Sequence, residues 1–200
     1  MPNHDNPVLE DEQRYRASAY ALLAALLRAP PDQALLDHVS GLAADQVDEV
    51  DELAEAMNEL AQAAGDCDVV ALEQEFNDLF IGVGRGEVVP FGSWYLTGFL
   101  MEQPLSELRD HLQALGFERS ENTREPEDHA AALFEVFSVM ITDVFSLARQ
   151  QEFFRMHMQP WLEKFFADLG KASSADFYQS VARFGAAFVK LESAYLSMQS

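Results

Sequence analysis

Apolar residues recur at helical spacing along almost the whole chain, and nowhere do they settle into the alternation that a half-buried strand requires. Tyr15, Ala19, Leu22, Leu23 and Leu26 mark one face of a first helix. Pro30-Pro31 stops it, because proline disfavours helix in the residue before it. Asp32 opens a short second helix that Gly41 ends. A third runs from about Asp45 to Ala64, with Val50, Leu53, Met57 and Leu60 on one side and Gly65 closing it. Val69 to Ile81 reads as a fourth. The segment Gly82-Val83-Gly84-Arg85-Gly86 cannot continue a helix comfortably, and with Pro90, Gly92 and Ser93 it predicts a structured loop. Another helix runs from near Pro104 to Leu115, before Gly116. Pro126 suits the first turn of a long helix carrying Leu133, Val136, Phe137, Met140, Ile141 and Val144, reaching about Ala148. Pro160 starts the next, with Trp161, Leu162, Phe165, Phe166 and Leu169. The last spans about Ser174 to Met198 through Phe177, Val181, Phe184, Phe188, Leu191 and Tyr195. The expected fold is all-α: one bundle of about eight to ten helices. Its N-terminal part ends near residue 117, a charged linker covers 118–124, and a C-terminal part follows from 125.

The chain has 200 residues, of which 48% are hydrophobic, enough for a proper core. The single cysteine, Cys67, excludes an intrachain disulfide and, without paired Cys/His spacing, a structural zinc site. The first residues, Met1 to Asp11, are polar, and the apolar run Ala19 to Leu27 is far short of a membrane span, so a cytoplasmic protein without stable membrane insertion is expected. The formal charge is −21, which argues against a nucleic-acid partner. Residues 1–80 hold 18 acids against three bases, Arg14, Arg16 and Arg28. Such an acidic half either steers a basic peptide toward the protein or serves solubility.

Motifs for chemistry are weak. After the glycines of residues 82–86 come Glu87 and Val88, where a phosphate loop needs lysine and a hydroxyl. None of the residues three before His38, His111, His129 or His157 is glutamate, so a di-iron helix bundle is excluded. Asp128-His129 could be an acid–base pair, but neighbours on a helix diverge by about 100°. The aromatic groups Phe91, Trp94, Tyr95, Phe99 and Phe153, Phe154, Trp161, Phe165, Phe166 build either a core or a groove for an apolar peptide, with Met140, Met156 and Met158 as adaptable lining.

Three stretches together resemble the TorD family of molybdoenzyme chaperones, which includes the DmsD and NarJ types. They are Glu75-Phe76-Asn77-Asp78-Leu79-Phe80-Ile81-Gly82 followed by Pro90-Phe91-Gly92-Ser93-Trp94-Tyr95; Glu125-Pro126-Glu127-Asp128-His129; and His157-Met158-Gln159-Pro160-Trp161 with Phe165 after it. The resemblance implies an all-helical TorD-like fold and a cytoplasmic chaperone. Such a chaperone binds the twin-arginine signal peptide and apoenzyme of a molybdenum-cofactor oxidoreductase and assists cofactor insertion before export. It implies peptide binding at Pro90, Phe91, Trp94, Tyr95, Asp128 and His129, with no catalytic residue, metal or cofactor of the chaperone's own. It also allows a monomer or a domain-swapped dimer hinged at the linker. One departure is Val89, where the family often has a second proline. The stretch Tyr95 to Leu105 resembles members associated with formate dehydrogenases. Two other functions fit the residues less well: a helical adaptor for another apolar or basic peptide, and a nucleotide-dependent hydrolase using Asp128 and His129.

Overall fold

The computed structural model describes residues 10–43, 51–118 and 125–198. Most of the linker expected at 118–124, with its hinge, and Val50 of the third helix lie outside the described residues. Within them the chain forms ten α-helices and one π-helical turn, and one buried apolar cluster draws on both the N-terminal and C-terminal parts.

The N-terminal half is set out by caps. Helix α1 (Asp11–Arg28) ends before the proline pair, and α2 (Gln33–Ser40) begins where the Asp32 carboxylate accepts the Leu35 N–H at 2.9 Å. Helix α3 (Glu52–Asp66) starts behind Asp51, which is extended and accepts the Leu53 N–H; the start expected near Asp45 lies outside the described residues. It also runs through Gly65. Helix α4 (Val69–Phe76) does not continue as α-helix to Ile81. It widens into a π turn (Asn77–Ile81) that closes with the Gly82 N–H on the Asn77 carbonyl at 2.7 Å.

Three expectations fail in the second half. The loop around Pro90 already contains a helix, α5 (Gly92–Thr97), before α6 (Gln103–Leu115). Pro126 does not start a helix. It opens a tight turn, with the His129 N–H on its carbonyl at 3.2 Å, and α7 (Ala130–Thr142) begins behind His129. Helix α7 also stops six residues before Ala148. Val144 takes a left-handed backbone, φ 57°, and the Phe145 N–H reaches back to the Met140 carbonyl at 2.9 Å. A separate helix, α8 (Leu147–His157), follows, then α9 (Gln159–Leu169) and α10 (Phe177–Met198).

The most extensive helix pair is α1 on α7, with α10 against α3 and α9. At the centre the Tyr20 ring lies 4.5 Å from Phe137 and 4.7 Å from Phe188. Phe153, Phe154, Trp161, Phe165, Phe166, Met140 and Met158 are all buried in this core, so most of the candidate groove aromatics are packing residues. The expected faces of α1 and α10 hold at Leu22, Leu23 and Leu26 and at Phe177, Val181, Phe184 and Phe188, but one position toward one end of each helix differs. Tyr15 is 77% exposed and Arg16 is buried; Leu191 is 51% exposed and Glu192 is buried. The cause is an ion pair. Arg16 Nε and Nη2 each donate to Glu192 at 2.8 Å, Tyr20 Oη donates to the same carboxylate at 2.9 Å, and Arg16 Nη1 reaches Gln13 and Gln150.

The Glu75–Gly82 stretch is also architectural. Glu75 accepts N–H bonds from Asp176, Phe177 and Tyr178, so its carboxylate caps the start of α10. Phe80 and Phe76 pack on the Tyr178 ring, whose hydroxyl donates to the Leu26 carbonyl at 2.7 Å.

Candidate peptide-binding site

The residues expected at the site come together, although 35 positions separate their two groups. Residues 90–93 run antiparallel beside 128–130. The Ala130 N–H donates to the Pro90 carbonyl at 2.8 Å and the Gly92 N–H to the Asp128 carbonyl at 2.9 Å, with a single β-type bridge between Phe91 and His129. The Asp128 carboxylate adds a third tie: its Oδ2 accepts the Ser93 N–H at 2.8 Å. Asp128 therefore caps a helix, but it is α5 rather than the helix that follows it in sequence. His129 caps α7 instead, its Nδ1 accepting the Ala131 N–H at 3.1 Å, which places the neutral ring's proton on Nε2. Burial first, and the Arg28 charge second, hold its pKa down to about 4. The Phe91 ring meets His129 edge-on, with centroids 4.9 Å apart.

Helix α5 divides the remaining residues between two clefts that share no lining residue. On one side, Gly92, Ser93 and Leu96 face Pro104, Glu107 and Leu108 of α6 and Met156 and His157 of α8 across about 80 Å³, with Asp128 at the floor. Asp128 is 3% exposed and Ser93 fully buried, yet among the described residues Asp128 Oδ1 and Ser93 Oγ have no hydrogen-bond partner. An unfilled buried acceptor of this kind costs about 1–3 kcal/mol. His157 Nε2 lies 2.8 Å from His111 Nδ1. Burial, then the neighbouring His111, lowers His157 to about 4, so it is neutral at pH 7. Beside this cleft the end of α5 presents Leu96 and the chain between α5 and α6 presents Phe99, Leu100 and Met101, each between 43% and 72% exposed, and Met156 at 45% continues the patch. Met101 holds φ 61°, a strained value for a residue other than glycine.

On the other side of α5, Trp94 and Tyr95 line a cleft of about 280 Å³ with Arg85, Glu87, Val88, Val89, Asp168, Lys171 and Ala172. Tyr95 stacks on Trp161 with centroids 5.5 Å apart, and Gly92 packs so closely on the same ring that a Cβ there would sit 3.1 Å from the Trp161 indole nitrogen and push the indole by a few tenths of an ångström. Burial and the nearby Asp168 push the Tyr95 phenol up.

Of the six expected site residues, then, Pro90, Phe91, Asp128 and His129 build the joint that holds α5, while Trp94 and Tyr95 border a cleft apart from Asp128. Sequence reasoning missed Glu107 and His157 as neighbours of Asp128, and Leu100 and Met101 as part of the exposed patch beside the cleft. One signal was available: Phe99-Leu100-Met101 is an apolar run held between Gly98 and Pro104, too short to bury itself in a helix.

The chain matches the family described as nitrate reductase delta subunit over residues 46–167. It is 31% identical over 159 residues to the chaperone protein TorD of Vibrio parahaemolyticus, covering 74% of this chain and 73% of that one. It is 27% identical to the TorD of Vibrio atlanticus, covering 91% of this chain and 94% of the relative. A solved structure described as a redox enzyme maturation protein from Archaeoglobus fulgidus shares the fold at a TM-score of 0.57 and 19% identity, over 96% of both chains. Among the described residues no helix is long and apolar enough to cross a membrane. The family match across more than half the chain, together with the Vibrio relative, establishes that this chain belongs to the TorD-like family of redox enzyme maturation proteins.

Proposed function

We propose that this protein is a cytoplasmic, non-catalytic chaperone for the precursor of a molybdenum-cofactor oxidoreductase, and that it holds the precursor's twin-arginine signal peptide while the cofactor is inserted. The observation that carries this reading is the pairing of an exposed apolar patch, Leu96 to Met101 with Met156, with a buried carboxylate oxygen that has no partner, Asp128 Oδ1. A twin-arginine signal has a basic start and an apolar middle. The cleft of about 80 Å³ is well below the roughly 300–1,000 Å³ of small-molecule pockets, so it suits the end of one side chain. A guanidinium there would donate to Asp128 Oδ1 and Ser93 Oγ and meet the charge of Glu107. The apolar middle would lie along Phe99, Leu100 and Met156, whose flexible thioether adapts to different sequences. Pro90, Phe91 and His129 contribute by fixing α5, and Trp94 and Tyr95 border the opposite cleft. The formate dehydrogenase-like stretch Tyr95 to Leu105 contains this patch, so the client we favour is a formate dehydrogenase catalytic subunit.

The test is a calorimetric titration of the full chain with a synthetic twin-arginine signal peptide and with a version in which both arginines are glutamine. Saturable binding, weakened at least tenfold by the glutamines, is expected. Equal binding of the two peptides, or none by either, would remove the reading.

A further inference from the structure

The cleft on the far side of α5 has chemistry opposite to that of the Asp128 cleft. Its cations are held in place by the glycine-rich loop. Gly82 and Gly84 take left-handed backbones, φ 60° and 95°, and a Cβ on Gly86 would lie 2.5 Å from the Leu79 carbonyl oxygen, so the loop folds tightly back over the π turn. The Val88 N–H closes it on the Leu79 carbonyl at 2.8 Å. This fold lays the Arg85 guanidinium over the Trp94 ring at 4.6 Å. The next acid, Glu87, bonds the Ser173 and Ser174 N–H groups and the Ser173 hydroxyl, and these donors lower its pKa to about 2. That anchor fixes the loop against the turn after α9, where Lys171 stands.

The charges then sort themselves. Asp168 is paired with Lys164 at 2.7 Å. Glu87 is ionised but occupied by its three donors. Arg85 and Lys171 form no ion pair among the described residues. Two uncommitted cations face one uncompensated carboxylate, so the cleft carries a surplus of one positive charge in a chain whose formal charge is −21. Its volume of about 280 Å³ is at the lower edge of the roughly 300–1,000 Å³ of small-molecule pockets. A surplus of one charge, with two carboxylates in the walls, matches a single carboxylate better than a multiply charged phosphate chain.

We infer that the Arg85–Lys171 cleft is a second protein-binding site, which receives one glutamate or aspartate side chain of a partner protein through a fork-type contact with Arg85 and a point contact with Lys171. A partner whose cation also entered the Asp128 cleft would be held on both sides of α5. The inference stands on this cleft alone and does not need the signal-peptide reading.

The probe is a capped pentapeptide, acetyl-Ala-Ala-Glu-Ala-Ala-amide, with its glutamine counterpart as control. Nitrogen-15 spectra of the full chain follow the Trp94 indole and Arg85 Nε–H resonances at low ionic strength. The glutamate peptide should move both resonances saturably at millimolar concentration, at least tenfold more tightly than the glutamine peptide. The double variant Arg85→Gln/Lys171→Gln should weaken it at least tenfold; both side chains are exposed, so the core is untouched. Equal binding of the two peptides, or binding indifferent to the double variant, overturns the inference. So does inorganic phosphate saturating the same resonances at one tenth of the glutamate peptide's concentration, since the cleft would then be a phosphate seat. A twin-arginine peptide titrated on the same wild-type sample reports on the Asp128 cleft, so failure there separates the proposed client from this site.

Discussion

Among the described residues two carboxylates are buried to nearly the same depth, Glu192 at 1% exposure and Asp128 at 3%, and they are treated differently. Both Glu192 oxygens accept, from two Arg16 nitrogens and the Tyr20 hydroxyl. Asp128 has one oxygen on the Ser93 N–H and the other on nothing, beside an equally unpartnered Ser93 hydroxyl. A complete network locks helices α1 and α10 and has no capacity left for a ligand. A half-complete one at the edge of a cleft retains an unmet bond that a ligand can supply. Burial alone therefore does not separate a structural acid from a binding one; the state of the last oxygen does.

The largest effect tests the Glu192 side. Arg16→Ala leaves a buried, unpaired carboxylate and should lower the unfolding free energy by about 3–5 kcal/mol in urea titration, whereas Arg16→Met with Glu192→Leu should recover most of that. A single variant as stable as the wild type would show that the pair does not lock the helices. Acid tests the joint at Asp128. His129 is neutral when folded, with its pKa near 4, and near 6.5 when unfolded. Above pH 6.5 neither state is protonated and no penalty arises. As pH falls from 6.5 to 4 the unfolded chain binds the proton first, so stability drops by about 3 kcal/mol and then levels off. His157, lowered to about 4 as well, adds a like share, so His129→Asn, which still caps α7, should make that slope shallower without abolishing it in a pH series of thermal melts; an unchanged slope assigns it to other groups.

The Asp128 comparison is sharpened by two substitutions. Asparagine keeps an acceptor for the Ser93 N–H, so Asp128→Asn should stay within ~1 kcal/mol of wild-type stability while binding of a twin-arginine peptide weakens roughly ten- to a hundredfold. Asp128→Ala should also destabilise, by about 1–3 kcal/mol. If asparagine binds peptide normally and alanine does not, Asp128 acts only by holding α5, and the contrast with Glu192 loses its functional meaning. The smallest stability change belongs to the patch. Phe99→Ser, at a side chain 68% exposed, should shift stability by less than about 0.5 kcal/mol yet weaken peptide binding severalfold. Unaltered affinity would move the apolar segment's seat elsewhere.

Much of the fold was legible because helix periodicity, proline stops and aspartate caps are local. The Asp32 start, the Gly116 stop and the Pro160 start all stand in the structure. The errors have a shared cause, partners remote in sequence. Apolar spacing put Tyr15 and Leu191 inward, whereas Arg16 and Glu192 are inside because each neutralises the other across 176 positions. Helix α5, at six residues, is too short to show a period, and its cap comes from Asp128. The motif residues of the site were legible as a group from family resemblance. Their division between two clefts was not, since it depends on which face of α5 each neighbouring helix covers.

The Glu75 cap has a consequence for how the protein is made. A ribosome delivers Glu75 about a hundred residues ahead of the three N–H groups it must bind at the start of α10, and Arg16 and Tyr20 wait longer still for Glu192. Until α10 leaves the exit tunnel, a cation, a hydroxyl, the Glu75 carboxylate and the apolar faces of α3 and α9 lack their partners. Native closure thus waits for α10 rather than proceeding stepwise. A nascent chain arrested before residue 177 should remain open to proteases that the finished protein resists.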